Sequence, residues 1–470
     1  MISNSATIKF ILVRYIGLIA NSSRSLLIAS VSGPAIFGIY SILTLAQQQI
    51  SMSALGMREA VSIELAGEDT QGAKFDEIFN SALVMTFTIG VLLGCISWLF
   101  YGFRSELGNI NAALGVSYLA LLIASVSIIT EVLYNVCRVL EKFTSVATCE
   151  LLYAFGCLAV ALFHVFSKQS LEDLFVGFFY VNLSVMLVLL YSVRRYISAN
   201  FRWERTLFLV GVGVPLMALN VFTVLLTSSG NYLVAAFGSQ LESGQYNFAY
   251  GISVLFMTGM NTVVWVKFSS AIGEFKENTD HHIRQIIVGK LRDLVLMAAG
   301  LFLISTLLFP VLREMWFPEY GDTNVTFASL MAVGFLLLAS FPENLLLLAE
   351  ARRGELIFFS FSSLSITLIS FFAIESIGLF SDIKLSAASS LVIGASTMFV
   401  LTVLGSAKYR NCPKLEDASY VTWVIFLSIL VACSWFFNIQ IIVHLIILIG
   451  LVTCNISKLR ELTKYAVALW

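Results

Sequence analysis

Apolar residues along this chain fall into runs of about twenty, the length a helix needs to cross ~30 Å of hydrocarbon. Fourteen such runs are predicted. The first seven lie near 8–31, 35–57, 78–100, 114–137, 145–166, 171–192 and 207–228. The others lie near 245–267, 294–310, 326–349, 355–378, 385–405, 419–437 and 439–456. Residues 233–237 either extend the seventh run or form a short interfacial piece. The last two runs, joined around Asn438, read as a helical hairpin. The alternating segments of about ten residues that build a membrane β-barrel are absent. The predicted fold class is therefore an all-α integral membrane protein with about 14 transmembrane helices.

Composition supports this. The chain has 470 residues, 58% of them hydrophobic and 12% charged, with mean hydropathy +0.89. Soluble domains are near a quarter charged, so this chain lacks the residues to cover a water-facing surface. A net charge of −1 carries no basic excess, and no nucleic-acid partner is expected. The first run contains Asn21-Ser22-Ser23-Arg24-Ser25 where a signal peptide would be apolar, so it reads as an uncleaved first span.

Charge placement tests the span count independently. Cytoplasmic loops collect Lys and Arg. Of the 28 Lys and Arg, 21 fall in the loops after even-numbered spans and the C-terminal tail, and 4 after odd-numbered spans. The other three, Lys9, Arg14 and Arg24, lie at or inside the first span. Both termini are expected on the cytoplasmic side of a multi-pass protein.

The loops also exclude function classes. The longest connection runs from about 268 to 293, too short for a separate catalytic or nucleotide-binding domain. There is no phosphate-binding G-x-x-x-x-G-K-[ST] loop. The four His and seven Cys show no metal-ligand or disulfide spacing, so neither a metal site nor a cofactor is expected. What remains is a transporter, a channel or a membrane scaffold rather than an enzyme.

An internal repeat points toward transport. Gly38-Ile39-Tyr40 opens the second span and Gly244-Gln245-Tyr246 the eighth, an offset of 206. Arg58 and Lys267, at the cytoplasmic rim of those spans, are 209 apart, and Glu131 and Glu343, in the fourth and tenth, are 212 apart. Six spans separate the copies, so both halves point the same way, a parallel repeat. The predicted organisation is a six-helix lobe over 1–200, a second over 201–410, and two extra helices with a cytoplasmic tail over 411–470. Two lobes flanking a cleft suit alternating access.

Ionisable side chains within spans are costly and therefore functional candidates. Arg24 lies about 10 Å inside the first span, within a polar run, and either faces a cavity or snorkels outward. Arg14, ten residues earlier, faces the same alternatives. Together they suit an anionic head group, because the guanidinium fork binds phosphate oxygens in pairs and stays charged. Glu131 and Glu343 are candidates either to balance these arginines or bind a coupling H+ or Na+, or to form hydrogen-bonded locks between helices. Gln48, in the run Gln47-Gln48-Gln49, is a candidate cleft residue for substrate, and Pro342 a kink.

Four segments carry a family resemblance: Ser32-Gly33-Pro34-Ala35-Ile36-Phe37-Gly38-Ile39-Tyr40, Ala54-Leu55-Gly56-Met57-Arg58-Glu59-Ala60, Asn231 through Tyr246, and Leu348-Ala349-Glu350-Ala351-Arg352-Arg353-Gly354-Glu355. With the fourteen-helix plan, they make the chain resemble the Wzx-type polysaccharide flippases of the MATE-like MOP flippase superfamily. Where members carry an acidic residue near position 231, this chain has Asn231. The resemblance implies a bilobed flippase of the bacterial inner membrane for polyprenyl-pyrophosphate-linked oligosaccharide, as in O-antigen and lipopolysaccharide assembly. It implies membrane lipids, a polysaccharide polymerase and a chain-length regulator as partners. Arginines on the first helix of related lipid-linked precursor flippases line a cationic cavity, which Arg14 and Arg24 resemble, and the last two helices of those proteins form a groove for the lipid tail. Two other readings stand beside this one: a cation-coupled drug or small-solute exporter of the same fold, and a non-transporting scaffold of a glycan-assembly complex.

Overall fold

Gly33 divides the first long helix, α1 (Asn4–Met52), into two spans. Its φ of 69° and ψ of 168° are open to a residue without Cβ, and Pro34 follows to restart the helix. In this computed structural model the described residues are 4–52, 54–65, 72–110, 112–140, 142–167, 170–198, 200–265, 280–350, 352–407, 409, 420–425 and 428. They form an all-helical protein, and among them nine helices are long and apolar enough to cross a membrane. The protein is a multi-pass membrane protein. Its predicted thirteenth and fourteenth spans lie almost wholly outside the described residues.

The chain divides into two compact units, Met1–Phe248 and Ala249–Trp470. In the first, α1 is followed by a left-handed turn at Leu55 and Gly56, then by the short α2 (Met57–Glu64), and α3 (Ala73–Gly102). Next come α4 (Ser117–Val139), α5 (Phe143–Ser167), α6 (Leu171–Val193), α7 (Trp203–Phe237) and the start of α8 (Gln240–Trp265). Helix α4 is buried along most of its length, packed by α3, α6 and α1, whereas few residues of α3 and α7 are fully buried. Met57, Val61, Phe75, Phe79, Val132, Leu133 and Val136 form the core that seats α2 beneath α4. Residues 233–237 extend α7 rather than forming a separate piece, because the apolar run continues without a breaker as far as Gly238.

The two Gly-x-Tyr motifs, 206 residues apart, meet inside this unit. A Cβ on Gly38 would stand 2.9 Å from the Gly244 backbone nitrogen, and one on Gly244 would collide with the Pro34 carbonyl. Only glycine permits helices to approach this closely. Tyr40 and Tyr246, the third residues of the motifs, are both buried.

In the second unit α8 is followed by α9 (His281–Trp316), α10 (Asn324–Ala339), α11 (Phe341–Ala349), α12 (Arg353–Ile377) and α13 (Ile383–Ala407). Helix α9 begins thirteen residues earlier than the apolar run predicts. Asp280 caps it by accepting from the His282 backbone at 2.9 Å. Behind the charged residues, Ile287, Val288, Leu291 and Val295 form a buried stripe at helical spacing. The tenth span breaks between α10 and α11, where Pro342 removes a helical donor. Ring stacking of Phe309 on Phe327 and Phe302 on Phe335 joins α9 to α10.

Candidate functional site

Arg24 points into the first unit. It is 9% exposed, held between the first arm of α1, α5 and α6. Its Cζ lies 5.2 Å from the centre of the Phe178 ring, within cation–π range. The Tyr153 hydroxyl and the Cys157 sulfur face the guanidinium, with Tyr40 beside them. Tyr40 in turn packs against Phe175 and Phe178. Among the described residues no carboxylate lies within ion-pairing distance of Arg24. Arg24 Nε, Tyr40 OH and Asn21 Oδ1 are all buried with no hydrogen-bond partner. A buried guanidinium without a counter-charge is costly; Arg24 Nε and the Tyr40 hydroxyl are donors that an acceptor oxygen would satisfy, while Asn21 Oδ1 is itself an acceptor. The sequence singled out Arg24, and Tyr40 as part of the Gly38-Ile39-Tyr40 motif; Tyr153, Cys157 and Phe178 reach the guanidinium from α5 and α6, and no local signal identified them.

Two glutamate sites lie elsewhere. In the first unit Glu131, on α4, pairs with Arg58 at 3.2 Å, and both side chains are about two-fifths exposed. Asn135, one turn along, donates to the Arg58 carbonyl, and Asn220 of α7 donates to Glu59. Two residues assigned by sequence to separate roles, a rim cation and a cavity acid, therefore meet in one pair.

In the second unit Glu343 opens α11 and is fully buried. One of its oxygens, Oε1, accepts from Arg292 Nε at 2.8 Å and Nη2 at 2.6 Å. Its other oxygen, Oε2, is buried with no partner among the described residues. Arg292 lies 4.2 Å from the Tyr420 ring centre, and the Tyr420 hydroxyl donates to the Ala339 carbonyl. Two turns away Arg284 pairs with Glu350 at 2.6 Å. Ile287, Val288, Leu291, Leu345 and Leu346 pack between these two pairs. Arg284 and Arg292 escaped sequence reasoning because their segment was read as a loop; the stripe Ile287, Val288, Leu291 was the signal.

The three glutamines separate. Gln47 donates to Ser127, Gln49 donates to Ser228 and accepts from Tyr232, and Gln48 is exposed. The side chain of Arg14 and all of Lys267 lie outside the described residues. Among the described residues no three His, Cys, Asp or Glu side chains gather to hold a metal.

A family profile described as "Polysaccharide biosynthesis protein" matches residues 33–312. Among curated proteins nothing matches the chain. Similar solved structures include an inward-facing multidrug resistance MATE family transporter of the MOP superfamily, with TM-score 0.67 and 12% identity over 88% of this chain and 98% of that one. The lipid II flippase MurJ in an inward closed conformation aligns with TM-score 0.60 and 14% identity over 96% of this chain and 99% of that one. A Vibrio cholerae MATE transporter, VcmN, aligns with TM-score 0.58 and 16% identity over 87% of this chain and 98% of that one. Identities this low establish a shared fold and leave the cargo open.

Proposed function

The chain belongs to the polysaccharide biosynthesis protein family, and on that premise we propose that it is a flippase for polyprenyl-pyrophosphate-linked oligosaccharide, such as an O-antigen unit. Two lobes, 1–200 and 201–410, rock by alternating access in the bacterial inner membrane, with 411–470 as an added helix pair and both termini cytoplasmic. The observation that carries this reading is Arg24, buried with no carboxylate among its described neighbours and with its Nε and the Tyr40 hydroxyl lacking an acceptor. Its guanidinium receives the pyrophosphate through charge-assisted hydrogen bonds, and Tyr40 and Tyr153 supply further hydroxyls. Arg14 continues the cationic track, Gln48 meets the sugars, and Arg58 with Lys267 attracts the head group at the rim. The prenyl tail stays in lipid. No bond is made or broken, so the protein acts without catalysis. Polymerase and chain-length regulator take over the translocated unit.

The half-exposed Glu131 is able to exchange Arg58 for a proton or sodium, and is the better coupling candidate; the Glu343–Arg292 pair serves as a lock. A cation-exporting reading is disfavoured by a buried arginine where such a cargo calls for acids. The test is complementation of a strain lacking its polysaccharide flippase. Arg24→Ala should accumulate in the membrane at the wild-type level, restore no surface polysaccharide, and leave the lipid-linked unit on the inner leaflet. Wild-type surface polysaccharide from this variant would overturn the reading.

A further inference from the structure

The connection between α6 and α7 is far more ordered than a spacer requires. Asn80, 2% exposed on α3, donates to the Tyr196 carbonyl at 3.1 Å and to Ser198 Oγ at 3.0 Å, and accepts from the Ser198 backbone at 2.9 Å. Ser81 exchanges hydrogen bonds with both backbone groups of Arg202. Tyr196 packs on Phe75 under the Lys142 ammonium. The pinned segment holds Arg194 and Arg195 outward in a single 3-10 turn, both exposed. Arg194 stacks 3.7 Å above the Tyr191 ring. Neither arginine has an acidic partner among the described residues, whereas Arg202 is paired with Glu77 and Arg205 with Glu64. Beside them Ile197, Phe201 and Trp203 are exposed, 41–57%. The segment lies where two candidate spans end and begin, Leu171–Tyr196 and Trp203–Phe237, which sets it at head-group depth.

We propose that this segment is a binding site for an anionic glycerophospholipid of the surrounding membrane. Arg194 and Arg195 take the phosphodiester, and Phe201 with Trp203 seats at the interface between glycerol and acyl chain. Two adjacent guanidiniums present paired donors to phosphate oxygens. Basic residues at a membrane surface attract anionic lipids, and aromatic rings favour this depth. The Asn80 anchor fixes the two arginines relative to the aromatic residues, which turns a charge pair into a shaped site. This site is independent of the transported cargo.

The test uses the full chain in nanodiscs of equal parts phosphatidylglycerol and phosphatidylcholine, with the lipids retained on the protein counted by native mass spectrometry. Wild type should retain phosphatidylglycerol preferentially. Arg194→Gln/Arg195→Gln should lower that preference about tenfold or more, and Arg195→Gln alone about fivefold, while Arg202→Gln leaves it nearly unchanged. Thermal unfolding in lipid-free detergent should be the same for all, separating lipid binding from folding. No preference in wild type, or an unchanged preference in the double variant, overturns the proposal. So does displacement of the retained lipid by equimolar polyprenyl phosphate, which would assign the arginines to cargo, or by an acidic peptide.

Discussion

Glu131 and Glu343, 212 residues apart and each an acid within an apolar run, have opposite surroundings. Glu131 lies within an unbroken α4 and meets Arg58 across a half-exposed gap, through a single contact at 3.2 Å. Glu343 stands in the first turn of α11, just past the Pro342 break, is fully buried, and receives two hydrogen bonds from one guanidinium. The break explains much of the difference. It creates a new helix N-terminus, where unsatisfied backbone donors and the helix dipole favour a carboxylate. Glu131 instead sits in the middle of α4, beside the first turn of α2 that carries Arg58. An exposed pair is worth little and trades partners readily. A buried pair is expensive to form but more expensive to break, since removing one member strands the other. The acid within a span is thus a replaceable contact in one unit and a fixed lock in the other.

The comparison is broken most severely by removing one side of the buried pair. Glu343→Ala should cost about 3–5 kcal/mol by removing the buried carboxylate that pairs with Arg292, seen as a large drop in the detergent melting temperature. Replacing both partners, Arg292→Met with Glu343→Leu, should recover most of that loss, because apolar groups of similar volume leave no stranded charge; equal destabilisation in the double variant would show that the pair is not the source. At the exposed pair, Glu131→Gln should cost less than about 1 kcal/mol. Any effect on stability should fade as salt is added, while transport falls if Glu131 carries the coupling ion.

The spans were legible because the membrane imposes one length and one composition on every crossing helix. Their ends were less so. Asp280 through Asp293 carries enough charge to read as a loop, and only its buried stripe reveals the first turns of α9. The gap between the runs 8–31 and 35–57 holds the bend at Gly33 in α1, and Pro342 announced the break before α11. At the site, Arg24, Glu131 and Glu343 stood out because a charge within an apolar run is visible locally. Their partners were not visible. Arg58 reaches Glu131 across 73 residues and Arg292 reaches Glu343 across 51, and such pairings depend on how helices pack rather than on neighbours along the chain. The same holds for Tyr153, Cys157 and Phe178, ordinary residues of apolar helices until α5 and α6 bring them to Arg24.

Whether Arg24 receives a lipid-borne pyrophosphate is read from titration of undecaprenyl pyrophosphate into the purified protein in detergent, wild type beside Arg24→Ala. Loss of a charge-assisted bond of about 1.5–3 kcal/mol predicts an affinity about ten- to a hundredfold weaker in the variant. Equal affinity in the two proteins would contradict the account.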